Sequence, residues 1–154
     1  MSVPPIPPGY HALTPYLSVA DPASAIAFYA EAFGATERMR LMMPDGSIGH
    51  AEITIGDSVM MLGGAWPQTG FAPPEGGPIP VMLHLYVADA DATFARAVEA
   101  GALPLAPVEQ KFYGDRSGSL RDPFGHRWTV STHVEDVSTE EAQRRIADMH
   151  QDDG

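Results

Sequence analysis

The chain repeats itself. Tyr16-Leu17-Ser18-Val19-Ala20-Asp21 returns as His84-Leu85-Tyr86-Val87-Ala88-Asp89, an offset of 68 residues. Both copies then run through an alanine-rich segment, to Gly34-Ala35 in the first and Gly101-Ala102 in the second. Ile55-Gly56 ahead of Val59 to Leu62 is echoed by Phe124-Gly125 ahead of Trp128 to Ser131. A duplication of this length implies two similar supersecondary units that close a cavity between them.

Within each copy the local signals give the same element order. Leu13 to Val19 reads as a strand, limited by Pro15, which has no ladder donor. Asp21-Pro22 opens a helix, because aspartate accepts from the free first-turn amides and proline suits the first position. Ile26, Tyr29, Ala30 and Phe33 recur at helical spacing as a buried stripe, and Gly34 ends it. Glu37 to Met43, Ile48 to Ile55 and Ser58 to Leu62 read as strands, joined by Pro44-Asp45-Gly46 and Gly56-Asp57. The second copy gives a strand over Val81 to Val87, then a helix capped by Asp89 or Asp91 that carries Phe94, Ala97, Val98 and Gly101 on one stripe. Strands over Leu103 to Val108, Tyr113 to Arg121 and Arg127 to Thr132 follow; Gly114 and Gly118 mark a bulge or a close backbone approach. The expected fold class is α+β, with two βαβββ modules forming a curved mixed sheet around a cavity and helices on its outside.

Residues 1–10 contain Pro4, Pro5, Pro7 and Pro8 and are expected to form a flexible, extended arm. A single domain spans 11–137, its modules 11–62 and 81–133 joined by a linker over 63–80. Ten of the 18 linker residues are Gly or Pro; so long a connection often covers something, and it carries Trp66 and Phe71. Residues 138–154 read as a C-terminal helix and acidic tail, opened by the capping box Ser138-Thr139-Glu140-Glu141, with Ala142, Ile146 and Met149 on one side.

Composition excludes several functions. Twenty acidic residues against nine Lys and Arg give a net charge of −11, which repels phosphate backbones and anionic lipid. No nucleic-acid partner is expected. The absence of cysteine rules out disulfides, a Cys nucleophile and thiolate metal sites. No apolar run is long enough to span a bilayer and no secretion signal is seen, so a cytoplasmic protein is expected. No nucleophile elbow, phosphate loop or nucleotide fingerprint is present, and no cofactor is expected.

Specific stretches point to a family: Thr14-Pro15-Tyr16-Leu17, Ala27-Phe28-Tyr29, Ala32-Phe33-Gly34-Ala35, Pro44-Asp45-Gly46 with His50-Ala51-Glu52, and Ile55-Gly56-Asp57-Ser58. The most specific are Phe112-Tyr113-Gly114-Asp115-Arg116, Asp122-Pro123-Phe124-Gly125-His126-Arg127-Trp128 and Thr132-His133-Val134-Glu135-Asp136-Val137. Over about Leu13 to Glu141 the chain resembles the vicinal oxygen chelate superfamily of glyoxalases, bleomycin resistance proteins and extradiol dioxygenases, and more narrowly its PhnB-like group. The resemblance implies a homodimer and a metal site built from one inward residue on the first and last strand of each module. Those positions here are Thr14, Met61 (Met60 if the register slips by one), Met82 and Thr129. None supplies a nitrogen or carboxylate, so the metal site is expected to be absent.

Other residues carry the candidate chemistry. His50 and Glu52 are two apart on a strand and share a face; Glu52 would orient His50 as a general base, or the two form a structural polar pair. His84, two residues from Met82, would hydrogen-bond a ligand, satisfy a backbone carbonyl, or join His50 and Glu52 in a displaced metal site. Arg116 would clamp an oxyanion with Tyr113 beside it, or fix a turn through Asp115 or Asp122. Tyr16 and Trp128, with Met82, would wall a pocket for a planar or apolar molecule, or belong to the core. His126 is expected to be exposed, and His133, Glu135 and Asp136 to form a cap and edge network. Three functions stay open: a small-molecule-binding protein without the usual metal, a metal-independent isomerase or lyase acting on a small carbonyl compound, and a bleomycin-type sequestration protein.

Overall fold

The computed structural model describes residues 2–151; Met1 and the acidic end at Asp152-Asp153 lie outside the described residues. The Asp21-Pro22 signal opens helix α1 (Pro22–Phe33), with the Asp21 carboxylate accepting from Ser24 N at 3.2 Å. Gly34 stops it in the left-handed region at φ 71°, where a side chain would be strained. The buried stripe is wider than expected. It comprises Ala25, Ile26, Phe28, Tyr29, Ala32 and Phe33, while Ala30 faces solvent, because Phe28 rather than Ala30 lies over the core.

Around α1 the first module places β1 (Tyr16–Ser18), β2 (Thr36–Met42), β3 (Ile48–Ile55) and β4 (Ser58–Gly63) in the order β1-β4-β3-β2. The second module repeats this with β5 (Met82–Tyr86), α2 (Ala90–Glu99), β6 (Leu103–Gln110), β7 (Asp115–Arg121) and β8 (Arg127–His133), in the order β5-β8-β7-β6. In each sheet the first strand runs parallel to the fourth and the other pairs are antiparallel. Asp89, not Asp91, caps α2. The two βαβββ modules therefore form mixed sheets with flanking helices. In hydrogen-bonding terms they are two four-stranded sheets rather than one, since β1 and β5 are both edges.

β1 is shorter than the predicted strand. Pro15 cannot donate, although its carbonyl still accepts from Met61 N at 2.9 Å. β7 starts at Asp115 rather than Tyr113, because Lys111 to Gly114 close a turn through Gly114 N to Lys111 O. Gly118 is a true close approach: a Cβ there would lie 2.9 Å from both Cγ2 and N of Val108.

One core serves both modules. Trp128 of β8, 3 % exposed, packs its ring 4.7 Å from Phe33 and 5.5 Å from Tyr29 of α1. The Tyr29 hydroxyl donates to Asp122 at 2.5 Å, and Trp128 Nε1 donates to the same carboxylate at 2.9 Å. His126 is half-buried, not exposed; its ring lies 2.8 Å from the Ser18 carbonyl and ties β1 to the second module. The final helix α3 (Thr139–Gln151) begins at the expected cap, Ser138 Oγ accepting from Glu141 N. It rests on its own chain, with Arg145 reaching Phe112 O and Glu135 at 2.8 Å each.

Candidate functional site

β3 alternates its side chains cleanly. Ala51, Ile53 and Ile55 are buried in the core, leaving His50, Glu52 and Thr54 half-buried on the opposite face. His50 and Glu52 meet there, Nε2 lying 2.9 Å from a Glu52 oxygen. The other ring nitrogen lies 2.7 Å from the Tyr16 hydroxyl on β1. A carboxylate oxygen only accepts, so Nε2 carries the hydrogen, and in the neutral ring Nδ1 accepts from Tyr16. The second Glu52 oxygen accepts from Tyr10. Tyr10 brings the N-terminal arm onto this face, with Arg38 stacked 5.1 Å over its ring and reaching the Pro8 carbonyl. Burial pushes the Tyr16 hydroxyl pKa above the ordinary tyrosine range.

The linker covers this network. A short 3-10 turn at Pro67–Thr69 brings Trp66 and Phe71 into a two-residue bridge, and both rings pack edge-on to Tyr16 at 5.2 and 5.3 Å. Beyond Tyr16, the edges β1 and β5 lie along two adjoining clefts. One, of about 240 Å³, is walled by Tyr16, Phe71, Ile79, Val81, Leu83 and Arg127. The other, of about 270 Å³, is lined by Leu83 again with Leu13, Thr14, Met60, His84 and Trp128.

The remaining candidates do not converge on that network. His84 is exposed, its ring 4.9 Å from that of Tyr86. Arg116 points to the helix side, where it forms a bidentate pair with Asp91 at 2.6 and 2.8 Å instead of touching Asp115 or Asp122. Tyr113 lies at the surface 3.4 Å from Ser117, and Trp128 is a core residue committed to Asp122. The expected edge network is present: His133 bridges Asp115 and Asp136 at 2.8 Å each, and Tyr86 donates to Asp115 at 2.7 Å. Hydrogen bonds to Asp136 and Asp115 raise the His133 pKa. Burial works against ionised Asp115, but its bonds from His133 and Tyr86 outweigh this and hold its pKa down.

The positions that would hold a metal in the family do not fit one. Thr14 and Met61 line a surface with Tyr10, His11 and Glu52. Thr129 donates its hydroxyl to the Met82 sulfur at 2.9 Å and lies 3.0 Å from the Ser119 hydroxyl. Hydroxyls and thioethers are poor donors to zinc, nickel, magnesium or manganese. Among the described residues no group of three or more His, Asp and Glu is placed to hold a metal, and His84 does not join His50 and Glu52.

The glyoxalase/bleomycin resistance protein/dioxygenase superfamily model matches residues 10–130, and the chain belongs to that superfamily. An uncharacterized protein of Mycobacterium tuberculosis is 42 % identical over 140 residues, 88 % of this chain and 82 % of that protein. TioX from Micromonospora sp. ML1 is similar in structure at 28 % identity and a TM-score of 0.64, over 80 % of this chain and 99 % of that one. The PhnB protein of Bacillus cereus shares the fold at 17 % identity and a TM-score of 0.63, over 79 % of this chain and 99 % of that one. The protein is thus a glyoxalase-superfamily small-molecule-binding protein without a metal-coordinating cluster among its described residues.

Several residues of this site escape sequence reasoning. Tyr10 sits in an arm that composition marks only as extended. Ile79 and Val81 belong to the linker and its exit. Arg127 could have been found from β8 alternation, being two residues before Thr129 and so on the same face.

Proposed function

We propose that the protein binds, without converting, a mostly apolar and planar small molecule in the cleft between β1 and β5. The commitment of His50 carries this reading. Both ring nitrogens are already occupied, by Tyr16 and by Glu52, and Glu52 is further occupied by Tyr10. The lone pair of His50 faces Tyr16, so it does not meet a substrate proton directly. The apolar walls and the Tyr16-Trp66-Phe71 cluster supply what a planar ligand packs on. The acidic surface would favour a cationic antibiotic at long range, as in the sequestration reading, but the cleft itself has no carboxylate among its lining residues. The metal-independent isomerase or lyase keeps one supporting feature, the in-line Glu52–His50–Tyr16 chain, in which Tyr16 would present the proton to the ligand.

A second copy belongs to the same reading. On β5, Met82 is 50 % and Tyr86 60 % exposed, and with His84 they leave an uncovered sheet face beside the cleft. A homodimer would cover it and deepen the site. The acidic, cysteine-free composition supports a cytoplasmic location and argues against a nucleic-acid partner. No helix among the described residues is long and apolar enough to cross a membrane.

Native mass spectrometry tests the reading by reporting oligomeric state and any co-purified ligand. In calorimetric titration, a neutral planar probe, 1-naphthaleneacetamide, should bind saturably. Ile79→Trp, which fills the cleft from outside the shared core, should abolish binding. Binding unaffected by Ile79→Trp would refute the cleft, and turnover of a carbonyl substrate lost in His50→Gln would favour the enzyme.

A further inference from the structure

Arg121 of β7 and Arg127 of β8 are direct cross-strand partners, so both side chains leave the same face of the sheet. Like charges placed opposite one another repel, yet no carboxylate separates this pair. Arg121 donates only to neutral carbonyls of the linker, Nη1 to Gly76 O at 2.9 Å and Nη2 to Gly77 O at 3.4 Å. Its Nε is buried with no hydrogen-bond partner. Arg127 is half-buried on the wall of the cleft, and no described residue gives its side chain a hydrogen bond or ion pair.

The other arginines behave differently. Arg40, Arg116, Arg144 and Arg145 are each ion-paired within the chain. Arg38 and Arg96 lack a carboxylate but are exposed. Asp21 and Asp122 share a neighbouring surface with Arg121, and both are committed elsewhere. Asp21 caps α1, and Asp122 takes the donors of Tyr29, Trp128, Phe124 and His126. In a chain this acidic, two adjacent half-buried guanidinium groups that pair with none of the described carboxylates are conspicuous. A buried charged donor left unpaired is unfavourable unless a partner arrives to meet it.

We propose that Arg127, with Arg121 beside it on the neighbouring strand, makes an anion subsite on the cleft, and that the ligand is a planar or apolar carboxylic acid. Its ring system lies against Tyr16 and Phe71, and its carboxylate accepts from the Arg127 fork, with the Arg121 charge on the neighbouring strand adding to the attraction. This inference rests on the cleft reading above and narrows it to one ligand class.

Calorimetric titration with 1-naphthaleneacetate and its neutral isostere 1-naphthaleneacetamide separates the two claims. The wild-type protein should bind the acid at least about tenfold more tightly than the amide, the scale of a charge-assisted bond. Arg127→Gln should remove that preference, so that acid and amide bind the variant with equal affinity. Arg127→Lys should restore part of the preference, because the charge remains but the fork is lost. Circular dichroism of each variant confirms that the fold survives. Equal binding of acid and amide by the wild type overturns the subsite while leaving the cleft intact, as does a preference that persists in Arg127→Gln. Binding of neither probe overturns both.

Discussion

Tyr29 and Asp122 join the two modules, and removing their contact should loosen the protein as a whole. Asp122 is 3 % exposed and accepts from Tyr29 at 2.5 Å, and from Trp128 Nε1, Phe124 N and His126 N at 2.9 Å each. Tyr29→Phe keeps the buried ring and deletes one hydrogen bond to a charged acceptor, a loss of about 1.5–3 kcal/mol. At roughly 2–4 °C per kcal/mol for a chain of this size, the melting temperature should fall by about 3–12 °C. Asp122→Ala should cost more, since each buried donor left unpaired costs about 1–3 kcal/mol against a total stability of about 5–15 kcal/mol. The hydroxyl also predicts a pH dependence. Burial first, and then the Asp122 charge, raise the Tyr29 pKa well above the ordinary tyrosine range. A raised folded pKa gives stability that is complete below the unfolded value, about 10, and is lost as pH climbs toward the folded one. Differential scanning calorimetry at pH 7 and across pH 9 to 11 reads both effects. The wild type should lose stability more steeply than Tyr29→Phe on the alkaline limb. A Tyr29→Phe protein with unchanged melting temperature and the same alkaline slope would refute the inter-module link.

Other consequences are simpler to check. Gly118→Ala should destabilise by about 1–3 kcal/mol in urea unfolding, because its methyl would press on Val108 and on Phe94, 3.0 Å away. Acrylamide should quench Trp66, 45 % exposed, far more than Trp128 at 3 %. In an NMR titration His133 should gain its proton above the ordinary histidine range, and Asp136→Asn should bring that titration down. The sign follows from linkage: the His133 contribution is complete below about pH 6.5 and disappears as pH rises through the raised folded value.

How far the sequence could be read depends on the range of the interaction. The Asp21 and Asp89 caps, the Gly34 stop and the strand alternation that puts His50 beside Glu52 are local, and the duplicated pattern makes them visible twice. The split into two sheets was not visible, since it depends on which neighbour the short β1 edge meets. The candidate site divides in the same way. His50 and Glu52 share one face by alternation, but Tyr16 reaching His50 spans 34 positions and Tyr10 closing on Glu52 spans 42, and neither carries a local signature. Arg116 stands in the most specific motif yet turns to Asp91 of α2, because alternation along β7 sets it opposite the face of Asp115 and Ser117.

The side chains at the positions where the resemblance would put metal ligands and the arginine pair favour the same kind of occupant. On β8, Arg127 and Thr129 are two apart on one face, so their backbones are separated by roughly 7 Å. A guanidinium at that range opposes a divalent cation, and the hydroxyl and thioether of Thr129 and Met82 offer it little attraction in return. The same arrangement favours an oxyanion, which needs donors and no carboxylates nearby. A fixed guanidinium on the cleft wall would orient a ligand carboxylate directly, with no ion between them. If so, a divalent salt such as magnesium chloride should not tighten 1-naphthaleneacetate binding beyond its effect on ionic strength. A matched sodium chloride control decides the matter, and magnesium-specific strengthening would mean that the carboxylate is held through a metal after all.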